Sequence, residues 1–258
     1  MSDSGNDELR LTWLGHSTVR IELGGTVFLT DPLLRRRVMH LQRSAAVEPE
    51  LYEDLDAVLI SHAHYDHLDV PSLRRNGRTA KVILPRGGRG FLRRRAFHDV
   101  VQLSEEEETT VGNVRVRAVF ADHPNMRASP IALSPALGYV LTGSQSVYFA
   151  GDTDLFPEMA ELAPDLDVAL VPIDGWGDSL PDGHLGPREA AEAVRILQPR
   201  VAIPIHWGTY SPIHRQNAAP PRGDPTSAFI QHAGELAPAV DVRALQLGSS
   251  TTVVAAQK

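Results

Sequence analysis

The chain has 258 residues, 42% of them hydrophobic and 22% charged, which is the balance of a folded globular protein with room for a large core. A formal charge of −7 disfavours general binding to a nucleic-acid backbone. There is no cysteine, so disulfides, thiolate nucleophiles and thiolate metal sites are excluded, and only His, Asp, Glu or backbone oxygen could hold a metal.

Residues 1–8 are polar and acidic, lack the basic and apolar regions of a secretory signal, and read as a flexible tail. Leu9–Trp13 and Thr18–Leu23 predict strands. In the second, Val19, Ile21 and Leu23 alternate with Arg20 and Glu22, the period of a half-buried strand. Gly24-Gly25 signals a hairpin turn, and Thr26–Thr30 is the return strand. Residues 31–56 are arginine-rich and read as irregular. Ala57–Ile60 predicts a strand, Val70–Arg75 a short helix, Lys81–Leu84 a strand and Gly87–Phe97 a basic helix. Val114–Phe120 and Ser146–Ala150 are further strands, and Val168–Ile173 is an apolar run of buried-strand type. Pro187–Leu197 is the strongest helix: Pro187 suits the first helical position, and Ala190, Ala193, Val194 and Leu197 share a face. Pro199 stops it and Val201–Ile205 is the next strand. No apolar run approaches the roughly 20 residues of a membrane span. The expectation is one domain over residues 9–258 in a cytoplasmic protein; the sequence sets no oligomeric state.

The densest chemical feature is Ser61-His62-Ala63-His64-Tyr65-Asp66-His67-Leu68-Asp69, in which three of the eleven histidines fall within six residues. Imidazole nitrogen and carboxylate oxygen suit Zn²⁺ and related ions. His62 and His64 are two apart and project to one side of an extended segment, while Asp66 and His67 follow a tight turn and can face a second position. A polar surface loop with incidental histidines fits a lone His well, but not four ligand-type side chains directly after an apolar strand. Asp31, His123, Asp152 and His206 each follow a predicted strand end. Sheets covered by helices bind ligands outside their strand ends, so one shared edge would gather these side chains.

The order Asp, His-x-His-x-Asp-His, His, Asp, His resembles the metallo-β-lactamase superfamily, from about Leu9 to Thr209. Trp13-Leu14-Gly15-His16-Ser17, Thr30-Asp31-Pro32 and Ile205-His206-Trp207-Gly208-Thr209 are similar to the branch with N-acyl-phosphatidylethanolamine phospholipase D and the L-ascorbate-6-phosphate lactonases. The resemblance implies an α/β fold, a four-layer αβ/βα sandwich with a metal site at one edge. It implies that His62, His64 and His123 bind a first metal, that Asp66, His67 and His206 bind a second, and that Asp152 bridges them. Asp31 matches the family's early aspartate, which stands behind the ligands rather than among them. His184, in Gly183-His184-Leu185-Gly186-Pro187, matches a histidine this branch places near the substrate.

Two divalent ions, two aspartates and a bridging hydroxide would leave the pocket at about +1, suited to a substrate that gains negative charge at a phosphoryl or carbonyl centre. Such ions, Zn²⁺ first with Mn²⁺ and Fe²⁺ as alternatives, would supply hydroxide at neutral pH without Ser or Cys. The expected activity is hydrolysis of a phosphodiester in a small anionic substrate, with a lactone or other carboxylic ester as the alternative. A non-hydrolytic iron redox protein and a non-catalytic binding protein are the remaining readings. His184 is the candidate acid for the leaving group, with Asp66 as the alternative. Arg127, four residues after His123, is the candidate anion contact; Trp176, Trp207 and Tyr210 either line the pocket or pack in the core. Arg35–Arg37, Arg93–Arg95 and Glu105–Glu108 read as solvated faces and a turn, with capture of an anionic head group or phosphate as the alternative for the two arginine runs.

Overall fold

A computed structural model describes residues 8–75, 78–124, 135–175, 179–213 and 223–256. In chain order the strands are β1 (Leu9–Gly15), β2 (Thr18–Leu23), β3 (Thr26–Thr30), β4 (Arg37–Val38), β5 (Leu41–Arg43), β6 (Ala57–Leu59), β7 (Lys81–Pro85), β8 (Val100–Leu103), β9 (Glu108–Val111), β10 (Val114–Phe120), β11 (Leu137–Thr142), β12 (Ser146–Phe149), β13 (Val168–Pro172), β14 (Val201–Ile205), β15 (Tyr210–Pro212), β16 (Asp241–Val242) and β17 (Ser250–Val253). The α-helices are α1 (Val70–Arg75), α2 (Arg89–Arg93), α3 (Pro187–Leu197) and α4 (Pro225–Leu236).

Two seven-stranded sheets form, ordered β17-β1-β2-β3-β6-β7-β8 and β16-β14-β13-β12-β11-β10-β9. Their facing sides share one core: Leu11, Val19, Ile21, Phe28 and Leu59 meet Val116, Tyr139, Phe149, Leu170 and Ile203. The alternate residues of the same strands face outward. Val58, Ile60, Val82 and Leu84 pack under α1 and α2 through Leu73 and Leu92. Ala169, Val171 and Ala202 pack under α3 and α4 through Ala190, Val194, Phe229 and Ala233. The period of two in each strand therefore feeds two cores at once, which makes the architecture the expected αβ/βα sandwich.

Strand direction sets the position of the site. β3 runs parallel to β6, and β12, β13 and β14 run parallel to one another. β10 reaches the direction of β12 through the antiparallel β11. The C-terminal ends of β3, β6, β10, β12 and β14 consequently carry Asp31, His62, His123, Asp152 and His206 to common edges.

Three expectations need correction. The basic helix over 87–97 shrinks to Arg89–Arg93, because Ala96 takes a positive φ of 66° and glycines at 88 and 90 weaken the start. The segment 31–56 is not wholly irregular: β4 and β5 form a hairpin that joins β15 in a small third sheet. Strands β8, β9, β11 and β17 and helix α4 are additional elements. Most of the expected tail, residues 1–7, lies outside the described residues.

The β1–β2 turn is held by a close approach of backbone to side chains. Gly15 has φ +107°, and a Cβ there would lie 2.6 Å from Leu247 Cδ1 and Thr209 Cγ2 and 2.8 Å from Arg43 Nη2. Gly15→Ala is expected to cost about 2–4 kcal/mol through backbone strain and overpacking, a fall on the order of 10 °C in melting temperature. A variant melting within about a degree of the wild type would remove this account of the turn.

Candidate metal centre

The tight turn His64–Leu68, closed by the His67 and Leu68 amides donating to His64 O, folds the 62–67 segment back on itself. His62 and His64 then face His123 and Asp152, and Asp66 and His67 face His206. Within each of the groups His62–His64–His123–Asp152 and His16–Asp66–His67–His206, one ligand-type atom per residue lies within 4.8 Å of all the others. All seven side chains named from the motif order converge, and Gly151, at φ +64° two residues past the end of β12, turns Asp152 toward them. A Cβ at Gly151 would stand 2.6 Å from Ser61 Cβ, so the turn suits glycine.

The hydrogen bonds behind the imidazoles fix which nitrogen faces inward. His206 Nδ1 lies 2.9 Å from Asp174 O and His123 Nδ1 lies 2.8 Å from Gly183 O. A carbonyl only accepts, so both Nδ1 atoms carry the proton. Asp31 accepts from His67 Nδ1 at 2.7 Å, from the Ser61 amide at 2.7 Å and from the Ser61 hydroxyl. With its proton given to Asp31, Ser61 Oγ accepts from His62 Nδ1 at 2.9 Å. Four imidazoles therefore turn Nε2, the atom that would ligate, toward the centre. His64 instead presents Nδ1, 3.2 Å from His123 Nε2.

Those nitrogens meet one another and carboxylates at distances typical of a coordination edge. His67 Nε2 lies 3.1 Å from Asp152 Oδ2, His206 Nε2 lies 3.4 Å from Asp152 Oδ1, and His62 Nε2 lies 3.8 Å from Asp152 Oδ2. His62 Nε2, His67 Nε2 and Asp152 Oδ1 are buried and make no aligned hydrogen bond to any described residue. Buried polar atoms left so are costly unless something else satisfies them, and a divalent cation between them would. The donor set of nitrogen and carboxylate oxygen, with no sulfur, fits a first-row divalent metal.

The electrostatics agree. Burial pushes the imidazole of His62 well below its usual pKa, that of His16 to about 3 and that of His64 to about 4; burial lowers His123 as well. Neutral imidazoles are the form that ligates. Burial also disfavours charge on His67, but Asp152, Asp66 and Asp31 around it raise it well above the usual range. Burial disfavours the charge on Asp66 and Asp152, yet the imidazoles about them, led by His67 for Asp66 and by His206 for Asp152, hold both well below it. The pocket is thus built to hold positive charge.

The remaining candidates fall differently. His184 Nε2 lies 3.4 Å from Asp152 Oδ2 at the pocket's half-open rim, its Nδ1 facing the carbonyls of Pro181 and Asp182 at 3.2 and 3.3 Å. Trp207 stacks on Trp13 at 4.8 Å and donates to Pro204 O, so its face and its N–H are engaged in packing. Tyr210 is buried and its hydroxyl donates to the carbonyl of Leu33 or Arg35, at 3.1 and 2.7 Å. For both, packing is the role the contacts favour over lining a pocket. Arg36 and Arg37 are exposed, and Arg35, partly exposed, also pairs with Asp69, with Nη2 at 2.8 Å. Arg127 and Trp176 lie outside the described residues. Sequence reasoning gave no role to His16, which is 1% exposed and stands among the second group.

Two mixed sheets faced by helices, with a His/Asp pocket at their strand ends, define a metallohydrolase architecture. A family profile described as beta-lactamase superfamily domain matches residues 26–207. A UPF0173 metal-dependent hydrolase of Methanopyrus kandleri is 32% identical over 94% of this chain and 99% of its own, and one of Thermococcus kodakarensis is 33% identical over 88% and 98%. The structure of Igni18, a metallo hydrolase of Ignicoccus hospitalis, aligns with a TM-score of 0.71 at 25% identity, over 95% of this chain and 98% of that one. The chain belongs to the beta-lactamase superfamily, as one of its UPF0173 metal-dependent hydrolases. Among the described residues no helix is long and apolar enough to cross a membrane.

Proposed function

We propose that this hydrolase holds two divalent ions, Zn²⁺ first among those the ligands accept, and cleaves a phosphodiester in a small anionic substrate. The observation that carries the reading is the Asp152 carboxylate. One oxygen approaches His62 and His67 and the other approaches His206, so a single side chain spans both donor groups. His62, His64 and His123 form one side of the cage, and Asp66, His67 and His206 the other. Two such ions bound here would bring the pKa of a shared water toward neutrality and polarise a substrate oxygen. The protein supplies only two carboxylates against four positive charges, so a substrate carrying negative charge is favoured over a neutral one.

The chain's own residues supply the rest. Asp31, Asp174 O and Gly183 O hold the rings of His67, His206 and His123 in one orientation. His184 is fixed by the two carbonyls at Nδ1, which leaves Nε2 at the rim as the atom that hands a proton to a departing alkoxide.

Purified enzyme would be stripped with chelator, reloaded with Zn²⁺ or Mn²⁺, and assayed on bis(p-nitrophenyl) phosphate, alkyl phosphodiesters and lactones. Metal-restored phosphodiesterase activity is expected, and activity confined to lactones would overturn it. His184→Ala is expected to lose about 10²-fold or more on alkyl diesters and far less on the p-nitrophenyl diester, whose leaving group needs no proton. Equal losses on the two substrates would remove His184 from proton transfer.

A further inference from the structure

His16 is a buried imidazole beside the candidate ligands, and the proposed reaction gives it no task. It occupies the turn between β1 and β2, where a register shift between Trp13 and Gly15 throws the chain out of the regular ladder. Its φ of 54° is left-handed, an uncommon choice for a residue with a side chain. Asp31 and His206, at 30° and 62°, share this feature. Backbone held in this region persists where surrounding bonds over-determine it. The His16 amide donates to Thr209 Oγ1 at 2.6 Å, and its carbonyl accepts from Trp13 Nε1 at 2.9 Å and from the His206 amide at 3.0 Å. The backbone is therefore tied to the β14–β15 loop that carries His206.

The side chain so fixed places Nε2 3.1 Å from Asp66 Oδ2. Its ring centroid is 4.1 Å from that of His206 and 5.1 Å from that of His67. Asp66 Oδ2 also has His67 Nε2 at 3.5 Å and His206 Nε2 at 3.8 Å, both farther off than His16, and these are the nitrogens that would ligate an ion held between them. Of the three imidazoles around this oxygen, His16 stands nearest, at hydrogen-bond distance. A carboxylate oxygen has more than one lone pair, so it can accept this N–H and still ligate.

Resting on the two-ion reading above, we infer that His16 is a positioning residue for the second ion: its Nε2–H holds Asp66 Oδ2 at the hydrogen-bond distance seen here and aims the carboxylate between His67 and His206. Such outer partners commonly govern metal affinity by 10–100-fold.

The test compares wild type, His16→Ala and His16→Gln, since a Gln carboxamide can donate from about the same place but ligates poorly. Each apo protein would be titrated with Zn²⁺ against a competing chelator, with bound metal counted by mass spectrometry and folding checked by melting of the metal-free form. Wild type is expected to take two equivalents. His16→Ala is expected to keep the first equivalent unchanged and to bind the second about 10–100-fold more weakly. His16→Gln is expected to recover most of that loss. Unchanged affinity for both equivalents in a folded His16→Ala overturns the inference and leaves the two-ion reading intact. A folded His16→Gln as weak as His16→Ala also overturns it. A wild type that holds one equivalent overturns the two-ion reading and the inference together.

Discussion

Asp152→Asn is expected to lower kcat/KM by at least about 10³-fold, on the order of 4 kcal/mol of transition-state stabilisation, while the protein stays folded. Asparagine keeps the shape of the side chain but removes its charge and turns one ligand-type oxygen into an N–H donor. Asp152 is buried, with Oδ2 3.1 Å from His67 Nε2 and Oδ1 3.4 Å from His206 Nε2. No rotamer of an amide supplies an anionic oxygen to both groups. Bound metal should fall below two equivalents together with activity, and raising the metal concentration should not restore the rate. Measurement of kcat/KM and metal content on the same sample checks this. A loss of less than tenfold with metal retained would mean that Asp152 does not join the two sets of ligands.

The local part of this site was legible because chemistry and sequence spacing coincide there. His62, His64, Asp66 and His67 sit within six residues after an apolar strand, so their convergence needs no knowledge of the fold. His123, Asp152 and His206 were legible for another reason, since each follows a strand whose alternation or apolar run marks its end. The four-layer packing followed from the resemblance and is visible in strands such as Val168–Pro172, buried throughout, whose Val168 and Leu170 enter the core between the sheets while Ala169 and Val171 pack under the helices. Strand β17 was not legible, since its partner β1 lies more than 200 residues away and its own four residues are half exposed. The same holds for the short β8 and β9, whose residues make no long periodic run. Helix α4 did carry a signal, because Asp224 before Pro225 caps Thr226 and Ser227. His16 lay inside a stretch that marks the family branch, but its role was not legible, because one histidine after a glycine looks the same in sequence whether it meets solvent or Asp66. Trp207 and Tyr210 were ambiguous for the same reason: an aromatic flanking a site loop has two uses, and only the ring of Trp13 and the carbonyls of Leu33 and Arg35 decide between them.

Asp31→Ala separates what holds the site from what performs the chemistry. Asp31 is fully buried and accepts from the Ser61 amide, the Ser61 hydroxyl and His67 Nδ1. Its own amide donates to Leu59 O and its carbonyl accepts from Thr18 Oγ1, so the backbone stays tied when the side chain is removed. Alanine leaves the Ser61 and His67 N–H groups buried without an acceptor, at about 1–3 kcal/mol each. Alanine also tolerates the φ of 30° less well than aspartate does. A total loss of about 3–5 kcal/mol is expected, a fall of roughly 10 °C or more in melting temperature. The second effect reaches the metal. With Asp31 gone, nothing keeps the His67 proton on Nδ1, so Nε2 is no longer held bare and aimed at the centre, and affinity should weaken by about 10–100-fold. Asp31→Asn discriminates between the two effects, since its amide oxygen can still accept from one donor and asparagine favours a left-handed backbone. It should recover part of the stability and less of the metal affinity. Thermal melts of the metal-free forms and chelator competition measure the two quantities separately. An Asp31→Ala protein with wild-type metal affinity would show that the His67 ring is aligned by its packing rather than by this carboxylate.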